Sequence, residues 1–318
     1  MHISGKKEEK RVDDFRKEVI KELEKKLGDD YKIFPQDRTK NNGFTAHGVC
    51  IRKKSENIGA VAYIDEALLM YAAGATSFER IADGLIQQCC HGGIHPDAVK
   101  NIEDFGMMKD RLRLRLINYA ANSAEMENIP HRRFLDLAVT YCLDVDIENG
   151  NAALIVSNVL LKIWNATEED LYRTGMENLH MQDKCLATDL FSIVRELAED
   201  EEAARAVLDK FEKMRGKKAE MYAVSNQKQH YGAACMLDHS FLQQMADSKG
   251  CDLIIYPGSI NVLVIEPVKD GNVDRINTED VWEVNRNSVP KEEWLSNSIY
   301  RYDRAKQEVC IYREGAPF

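Results

Sequence analysis

The chain has 318 residues, of which 44% are hydrophobic and 30% are charged, and its formal net charge at pH 7 is −10. This composition excludes a disordered chain, and the negative charge argues against a protein that coats nucleic acid or an anionic membrane through its overall charge. No apolar stretch approaches the roughly twenty residues that span a bilayer. Residues 1–9 are too polar for a secretory signal, so we predict a cytoplasmic protein.

The N-terminal residues predict a helix followed by a hairpin. Apolar side chains recur at helical spacing between residues 11 and 27, and Gly28 stands where such a helix would end. Residues 31–34 form a short apolar run, and the sequence Asn-Asn-Gly at 41–43 is a strong turn signal. We therefore predict two strands, at 31–34 and 44–52, that are joined into a hairpin.

A unit of one strand and two helices is predicted twice in the N-terminal half. In the first copy the apolar run 60–64 is followed by amphipathic segments at 65–71 and 77–81. In the second copy the run 152–156 is followed by similar segments at 157–164 and 167–171. The pattern of apolar run, polar cap, helix, break and second helix is the same, which predicts an internal repeat.

Two more strands are predicted between the copies of the repeat. Arginine and leucine alternate from Arg111 to Ile117, and a period of two favours a strand with one apolar and one basic face. The apolar run Phe134–Leu143 predicts a central strand that carries Asp136 in its interior. A buried carboxylate is costly without a partner, so we expect Asp136 to turn to the opposite face or to bind Arg132 or an arginine of the 111–115 set.

The C-terminal third predicts a second α+β region. Residues 183–216 resemble a charged helical insertion, and paired strands are expected at 221–225 and 233–237. The further predicted elements are a helix at 241–246, a hairpin of 252–256 with 261–266, a helix at 278–287 and a last strand at 309–312. The fold class is therefore α+β, in two parts, with small antiparallel sheets covered by helices. We predict domains at 1–182 and 219–318, with 183–218 as the insertion or linker.

The strongest candidate site is a basic cluster. Three arginines would share one face of the predicted strand, and His131 and Arg132 begin a strand that pairs with it. Guanidinium groups suit phosphate and carboxylate, so this set predicts a small-anion site formed by Arg111, Arg113, Arg115, His131 and Arg132. The alternative, which the 53 acidic residues favour, is a solvated strand face whose arginines pair with nearby carboxylates.

Other candidates are weaker. Cys89, Cys90, His91 and His95 carry zinc-ligand chemistry, but a Gly-Gly break interrupts them and no second ligand pair is evident, so we predict no metal and no cofactor. We interpret the eight cysteines as mostly reduced core residues. His131 and Asp136 could form a pair for general base chemistry, but no nucleophile stands near them in the sequence. The segment Ser298–Arg304 mixes aromatics with arginines, as single-strand nucleic-acid binders do, but an edge strand with its aromatics packed inward is favoured.

Several segments resemble a known family. They are PHRRFLDL at 130–137, MYAVSN at 221–226, YGAA at 231–234 and SNSIYRYD at 296–303. With these motifs the chain resembles an uncharacterised family, a domain of unknown function, of cytoplasmic proteins from anaerobic, gut-associated Gram-positive bacteria. The resemblance implies a source and a two-part architecture, and it brings no activity or catalytic residue.

The function is predicted mainly from what is missing. The sequence contains no Rossmann GxGxxG, no P-loop, no HExxH, no GxSxG and no pair of CxxC motifs, which shifts the odds from catalysis toward binding. We predict a cytoplasmic binding protein with a protein partner and no membrane or nucleic-acid partner. The alternatives are an anion-binding protein or enzyme that uses the basic cluster, and a nucleic-acid-associated accessory protein of a mobile element.

Overall fold

The computed structural model describes residues 2–55, 59–91, 100–147, 150–197, 205, 220–268 and 277–318. Helices alternate with small antiparallel sheets of two to six strands, so the predicted α+β class is confirmed. Contact clustering divides the chain into two compact units. Unit 1 comprises residues 1–100 and 145–152, and unit 2 comprises residues 101–144 and 153–318.

Unit 1 is a three-stranded sheet with helices. Its long helix α1 (His2–Leu27) is followed by β1 (Tyr31–Pro35), the short strands β2 (Arg38–Thr39) and β3 (Thr45–Ala46), β4 (Gly48–Lys53), β5 (Ala60–Tyr63), α2 (Asp65–Ala72) and α3 (Phe78–His91). The sheet order is β1-β4-β5, and the predicted turn is present, with Asn42 at φ 60° and Gly43 at φ 66°. Phe15, Val19 and Leu23 of α1 are buried against the sheet and α3, which confirms the helical stripe.

Unit 2 begins with a second group of strands and helices. Its first elements are α4 (Phe105–Met108), β6 (Leu112–Asn118), α5 (Ser123–Met126), β7 (His131–Phe134), β8 (Leu137–Ile147), β9 (Gly150–Ile155), α6 (Asn158–Ile163) and α7 (Glu168–Asn178). Only the end of β8 and the start of β9, residues 145–152, are assigned to unit 1. Strands β6 and β7 both pair antiparallel with β8, and β9 pairs with it too. Gly175 of α7 lies so close to Leu114 that a Cβ there would be 2.4 Å from Leu114 Cδ2. Helix α7 therefore packs closely on β6.

The rest of unit 2 is a six-stranded antiparallel sheet with helices. Its elements are β10 (Cys185–Asp189), α8 (Leu190–Leu197), β11 (Tyr222–Asn226), a 3-10 turn (Gly232–Leu237), α9 (His239–Lys249), β12 (Asp252–Tyr256), β13 (Leu263–Val268), α10 (Thr278–Ser288), β14 (Ile299–Asp303) and β15 (Glu308–Arg313). The strand order is β10-β11-β13-β12-β14-β15. One apolar core includes residues of β6, β8, β11, β12, β13 and β14.

This shared core explains where the compact units divide. Residues 101–144 cluster with the C-terminal part of the chain, whereas the sequence places them in an N-terminal domain of residues 1–182. Much of the predicted linker, residues 198–204 and 206–218, lies outside the described residues. Whether 1–182 and 219–318 behave as separate folding domains stays a prediction.

The predicted repeat agrees with the element order at both places. In the first stretch β5 pairs with β4 and is followed by α2 and α3. In the second stretch β9 pairs with β8 and is followed by α6 and α7. That the two stretches superpose and derive from one repeated unit stays a prediction.

Four predicted elements differ from the structure. Residues 233–237 form a 3-10 turn, not a strand, because a short run that is buried on every side carries no periodicity to separate the two. The run 134–143 is interrupted at Leu135, which has φ 58°, so Asp136 lies in a hairpin turn between β7 and β8. Part of the predicted helical insertion is the strand β10, and β14 lies inside the sheet instead of at its edge. The aromatic residues Tyr300 and Tyr302 are nevertheless buried, as expected.

Candidate functional site

Strand pairing decides which of the five predicted site residues come together. Arg113 lies opposite Cys142, and Arg115 and His131 lie on either side of Thr140, so these three basic residues share one face of the β6-β8-β7 sheet. Arg132 lies opposite Val139 and belongs to the other face. Arg111 ends the 3-10 turn that precedes β6. The structure therefore brings Arg113, Arg115 and His131 to one side and separates them from Arg132.

The basic face is buried, which corrects the expectation of a solvated strand face. Only 8% of Arg113 and 4% of Arg115 is exposed. The loop between β11 and the 3-10 turn lies over this face, and the Arg115 guanidinium is 5.5 Å from the centre of the Tyr231 ring. Alternation predicted the two faces of β6 correctly, but it could not show that both are covered.

Arg113 lies at the centre of a neutral group of charges that we call the Arg113 cluster: Arg113, Asp144, Asp183 and Lys228. Its Nε is 2.9 Å from Asp183 Oδ1 and 3.1 Å from Asp144 Oδ2, and Lys228 Nζ is 2.6 Å from Asp144 Oδ2. The other guanidinium nitrogens donate to the carbonyls of Asp110 and Leu112 and to Gln182 Oε1. Two cations thus balance two carboxylates.

Burial shifts the pKa values of groups on this face. It raises the pKa of Asp183, which the charges of Arg113 and Lys228 oppose. It raises the pKa of the Cys142 thiol to about 12, despite the nearby guanidinium of Arg115. It also lowers the pKa of His230, an effect that the Asp144 carboxylate opposes. Each shift favours the neutral form, as expected where water is scarce.

The loop over the face is held by a small set of amide side chains. Asn226 Nδ2 donates to the carbonyl of His230, and His230 N donates back to Asn226 Oδ1. Tyr231, at φ 53°, donates its N–H to Asn261 Oδ1. A Cβ at Gly232 would lie 2.0 Å from Ser225 Oγ, so only glycine fits there. The MYAVSN and YGAA segments therefore shape this loop.

Arg132 forms ion pairs on the opposite face of the sheet. Its Nε and Nη2 donate to the two oxygens of Glu168 at 3.2 and 2.9 Å, and it also pairs with Glu169. Its guanidinium lies 3.9 Å from the centre of the Tyr172 ring. Glu168 opens α7, whose first turn is fixed by a capping box between Thr167 and Asp170. The contacts tie β7 to α7.

The arginine partner predicted for Asp136 was wrong, and the His131–Asp136 pair that the sequence allowed is not formed. His131 Nδ1 lies 3.1 Å from the carbonyl of Ile129, and Asp136 accepts hydrogen bonds from Ser296 Oγ at 2.7 Å and Tyr300 OH at 2.8 Å. Asp136 therefore binds hydroxyl groups instead of His131 or an arginine. In the sequence Ser296 belongs to the motif SNSIYRYD and Tyr300 to the predicted edge strand Ser298–Arg304, and neither pattern connects them to Asp136.

A second candidate surface lies in unit 1, on α2 and on the last residue of β5 before it. Four large apolar or aromatic side chains that follow closely in the chain are exposed there, and we call them the α2 surface: Tyr63, Leu69, Met70 and Tyr71. Leu69 is 71% exposed and Met70 is 46% exposed. The inner side of the helix packs on the core through Ala67 and Leu68. In the sequence these residues belong to the predicted repeat, and no local pattern marks them as exposed.

Over the described ranges, no group of three or more His, Cys, Asp and Glu side chains is arranged to hold a metal ion. His95 and the side chains of Cys90 and His91 lie outside what the structure describes, so that predicted constellation is not tested. Among the helices with described residues, none is long and apolar enough to cross a bilayer.

Comparison with known proteins gives one family. The model of a family of unknown function, DUF5688, matches residues 12–304. No curated protein and no solved structure matches the chain significantly.

Proposed function

The chain belongs to the DUF5688 family of unknown function, and from its geometry we propose that it is a binding protein that holds a basic, apolar segment of a partner protein against the α2 surface. The observation that carries this proposal is the exposure of Leu69, Met70 and Tyr71 in consecutive positions of one helix. Exposed apolar side chains that stand singly are ordinary, but three within one helical turn, whose directions differ by about 100° from one to the next, favour an interaction site.

The residue types at this surface support a protein partner. Tyrosine and methionine are enriched in the centres of protein interfaces, and methionine adapts its shape to different partners. Tyr71 also touches Phe15 and Phe78, with ring centres 5.5 and 4.4 Å away, so the exposed aromatic rests on a fixed support. A partner would therefore meet a preorganised surface and lose less conformational entropy on binding.

Charge decides the kind of partner. The described segment 59–91 carries four carboxylates, at 65, 66, 79 and 83, against one arginine, at 80, and the whole chain has a net charge of −10. Lys26 lies near the carboxylates at 79 and 83, His47 bonds to the one at 65, and Lys40 Nζ lies 4.0 Å from the centre of the Tyr63 ring, so the acidic character at α2 comes mainly from Glu66. Glu66 is exposed in the first turn of α2 itself. Complementary charge speeds encounter and fixes orientation, so the segment that binds here should be cationic as well as apolar.

The paired charges of two buried or half-buried arginines of unit 2 agree with a non-catalytic protein. Arg113 and Arg132 each contact two carboxylates. The location that we propose remains the cytoplasm, with no nucleic-acid or membrane partner. Small-anion binding is the second candidate, and the shared sheet face of Arg113, Arg115 and His131 supports it. An anion there would have to replace Asp144 or Asp183 at Arg113.

The experiment is the binding of a labelled synthetic amphipathic helix of leucine and lysine, followed by fluorescence anisotropy. We expect the double variant Leu69→Glu/Met70→Glu to weaken binding at least about tenfold, which equals about 1.4 kcal/mol. The added carboxylates attract a basic peptide, so a loss of affinity reports on the apolar contact.

The matched control is Val159→Glu/Ile163→Glu. These residues are 67% and 51% exposed on α6, which has the corresponding place in the second strand–helix–helix stretch. This control should bind the peptide as the unchanged protein does. Equal loss in both variants, or no binding by the unchanged protein, would overturn the proposal.

A further inference from the structure

The five residues after β15 lie against the five residues before β14. We call residues 294–298 the docking segment and residues 314–318 the bound segment. The N–H of Gly315 donates to Ser298 Oγ at 3.1 Å. A Cβ at Gly315 would lie 2.2 Å from both the carbonyl carbon and the carbonyl oxygen of Asn297, so only glycine fits at this position.

Two more contacts continue along the bound segment. The side-chain amide of Asn297 donates to the carbonyl of Ala316 at 2.9 Å, and the ring of Phe318 meets the ring of Trp294 edge-on, with the ring centres 5.4 Å apart. These contacts use one backbone carbonyl and one aromatic ring, which many other peptides can supply. The docking segment thus recognises a glycine, the carbonyl of the next residue, and an aromatic ring three residues after the glycine.

The docking segment is held in place by residues outside the bound segment. Asn285 Nδ2 donates to Asn297 Oδ1 at 3.0 Å, which orients the amide that binds the carbonyl. Trp294 Nε1 donates to the carbonyl of Val289 at 2.8 Å, which fixes the indole ring. A site that is already ordered loses little conformational entropy when a ligand binds to it.

The bound segment is mostly exposed. Glu314, Ala316 and Pro317 are exposed, and Phe318 is 40% exposed. Asn297 and the rest of the docking segment lie within the residues that the family model matches, which end at 304, whereas the bound segment lies beyond them. The site therefore belongs to the family part of the chain, and its occupant does not.

We propose that the docking segment is a peptide-binding site of unit 2 and that the bound segment occupies it as an internal competitor. The ligand is a short segment of a partner protein with a glycine and, three residues later, an aromatic residue. The close approach of Asn297 selects the glycine, and Trp294 binds the aromatic ring. A segment attached through a short linker acts at an effective concentration on the order of millimolar, so the internal segment excludes dilute ligands.

The deciding experiment opens the site in the full chain. Gly315→Ala places a methyl group against the backbone of Asn297, so the bound segment has to leave. A fluorescent peptide with the sequence of residues 313–318 should bind this variant at least about tenfold more tightly than the unchanged protein, in which the internal segment competes. Gly84→Ala is the matched control, and it should bind the peptide as the unchanged protein does.

A second opened form keeps binding separate from folding. Phe318→Ala removes a partly exposed ring from the bound segment and should also increase the affinity for the peptide, whether or not Gly315→Ala folds. Circular dichroism checks the fold of each variant. Ser298→Ala, added to either opened form, should weaken peptide binding severalfold, because it removes the acceptor of the glycine N–H.

The selectivity for glycine is tested with a second peptide, in which alanine replaces the glycine. It should bind none of these proteins, because its methyl group would meet the backbone of Asn297. Equal binding of the first peptide to the unchanged and the opened proteins, no binding to either opened form, or equal binding of both peptides would each overturn the proposal.

Discussion

At the scale of single residues, the most informative position is Arg113. A charged side chain with 8% exposure needs compensation, and Asp144 and Asp183 supply it from β8 and from the turn before β10. A buried ion pair contributes little net stability when both partners are present, yet removing one partner leaves the other charge buried and costly. The Arg113 cluster thus links segments that are distant in the chain.

The first prediction concerns the Arg113 cluster. Arg113→Ala should lower the free energy of unfolding by about 3–5 kcal/mol, because Asp183 loses its nearest cation in a buried place. Lys306→Ala is the matched control, since Lys306 also lies near two carboxylates, Asp303 and Glu308, but on the surface. Its cost should be about 1 kcal/mol or less. Urea unfolding at pH 7 measures both, and similar losses would contradict the account.

The same variant should show a characteristic pH dependence. Burial raises the pKa of Asp183, so the folded state holds that proton more tightly than the unfolded chain does. Its contribution to stability therefore grows as the pH falls into the acidic range. The deficit of Arg113→Ala relative to the unchanged protein should shrink between pH 7 and about pH 4. A deficit that is constant over this range would show that the lost charge pairing is not its cause.

A third prediction concerns Gly232. In Gly232→Ala the new Cβ would meet Ser225 Oγ at 2.0 Å and the backbone oxygen of Asn261 at 2.5 Å, so we expect a loss of about 1–3 kcal/mol or more. Gly84→Ala is the control, because that position in α3 is exposed and has no atom within 4 Å of the new Cβ. Alanine should stabilise the helix there by about 0.5–1 kcal/mol. Thermal unfolding of both variants checks the opposite signs.

At the scale of elements, the β7–β8 hairpin shows what local sequence could and could not reveal. Alternation predicted β6, and helical spacing that ends at Gly28 predicted α1, because these patterns follow from local geometry. Leu135 at φ 58° carries no such signal, so two strands were predicted as one. The hydroxyl partners of Asp136 come from Ser296 and Tyr300, which no local pattern connects to it.

The fourth prediction tests this contact between distant elements. Tyr300 and Tyr302 are both buried on β14, but Tyr300 donates to the Asp136 carboxylate and Tyr302 to the neutral Gln243. Hydrogen bonds to charged groups contribute more, so Tyr300→Phe should cost about 1.5–3 kcal/mol and Tyr302→Phe about 1 kcal/mol. Urea unfolding gives both values, and the reverse order would exclude Asp136 as a charged acceptor.

The raised pKa of Tyr300 also gives an expected change of stability at high pH. Burial and the Asp136 charge raise its pKa well above the ordinary value, so the folded protein keeps a proton that the unfolded chain loses near pH 10. The stability that Tyr300 contributes is therefore present below about pH 10 and is lost above it. Tyr300→Phe should lose less stability than the unchanged protein as the pH rises past 10.

At the scale of the whole molecule, the α+β class and most elements followed from the sequence, whereas the candidate site did not. The five residues of the predicted anion site were chosen from charge and alternation, and these cannot show that Arg113 meets Asp183 or that Arg132 meets Glu168. The sequence did not predict the α2 surface, because its residues are of types that are usually buried. Leucine and methionine are usually buried in the core, and only the tertiary packing shows that Leu69 and Met70 remain exposed.

Whether α2 is the binding surface can be measured by hydrogen–deuterium exchange of the full chain with and without the leucine–lysine peptide. Bound peptide should slow exchange at the backbone amides of residues 63–72 and leave those of residues 158–163 on α6 unchanged. Protection that is absent from 63–72, or that is equal on both helices, would contradict the account.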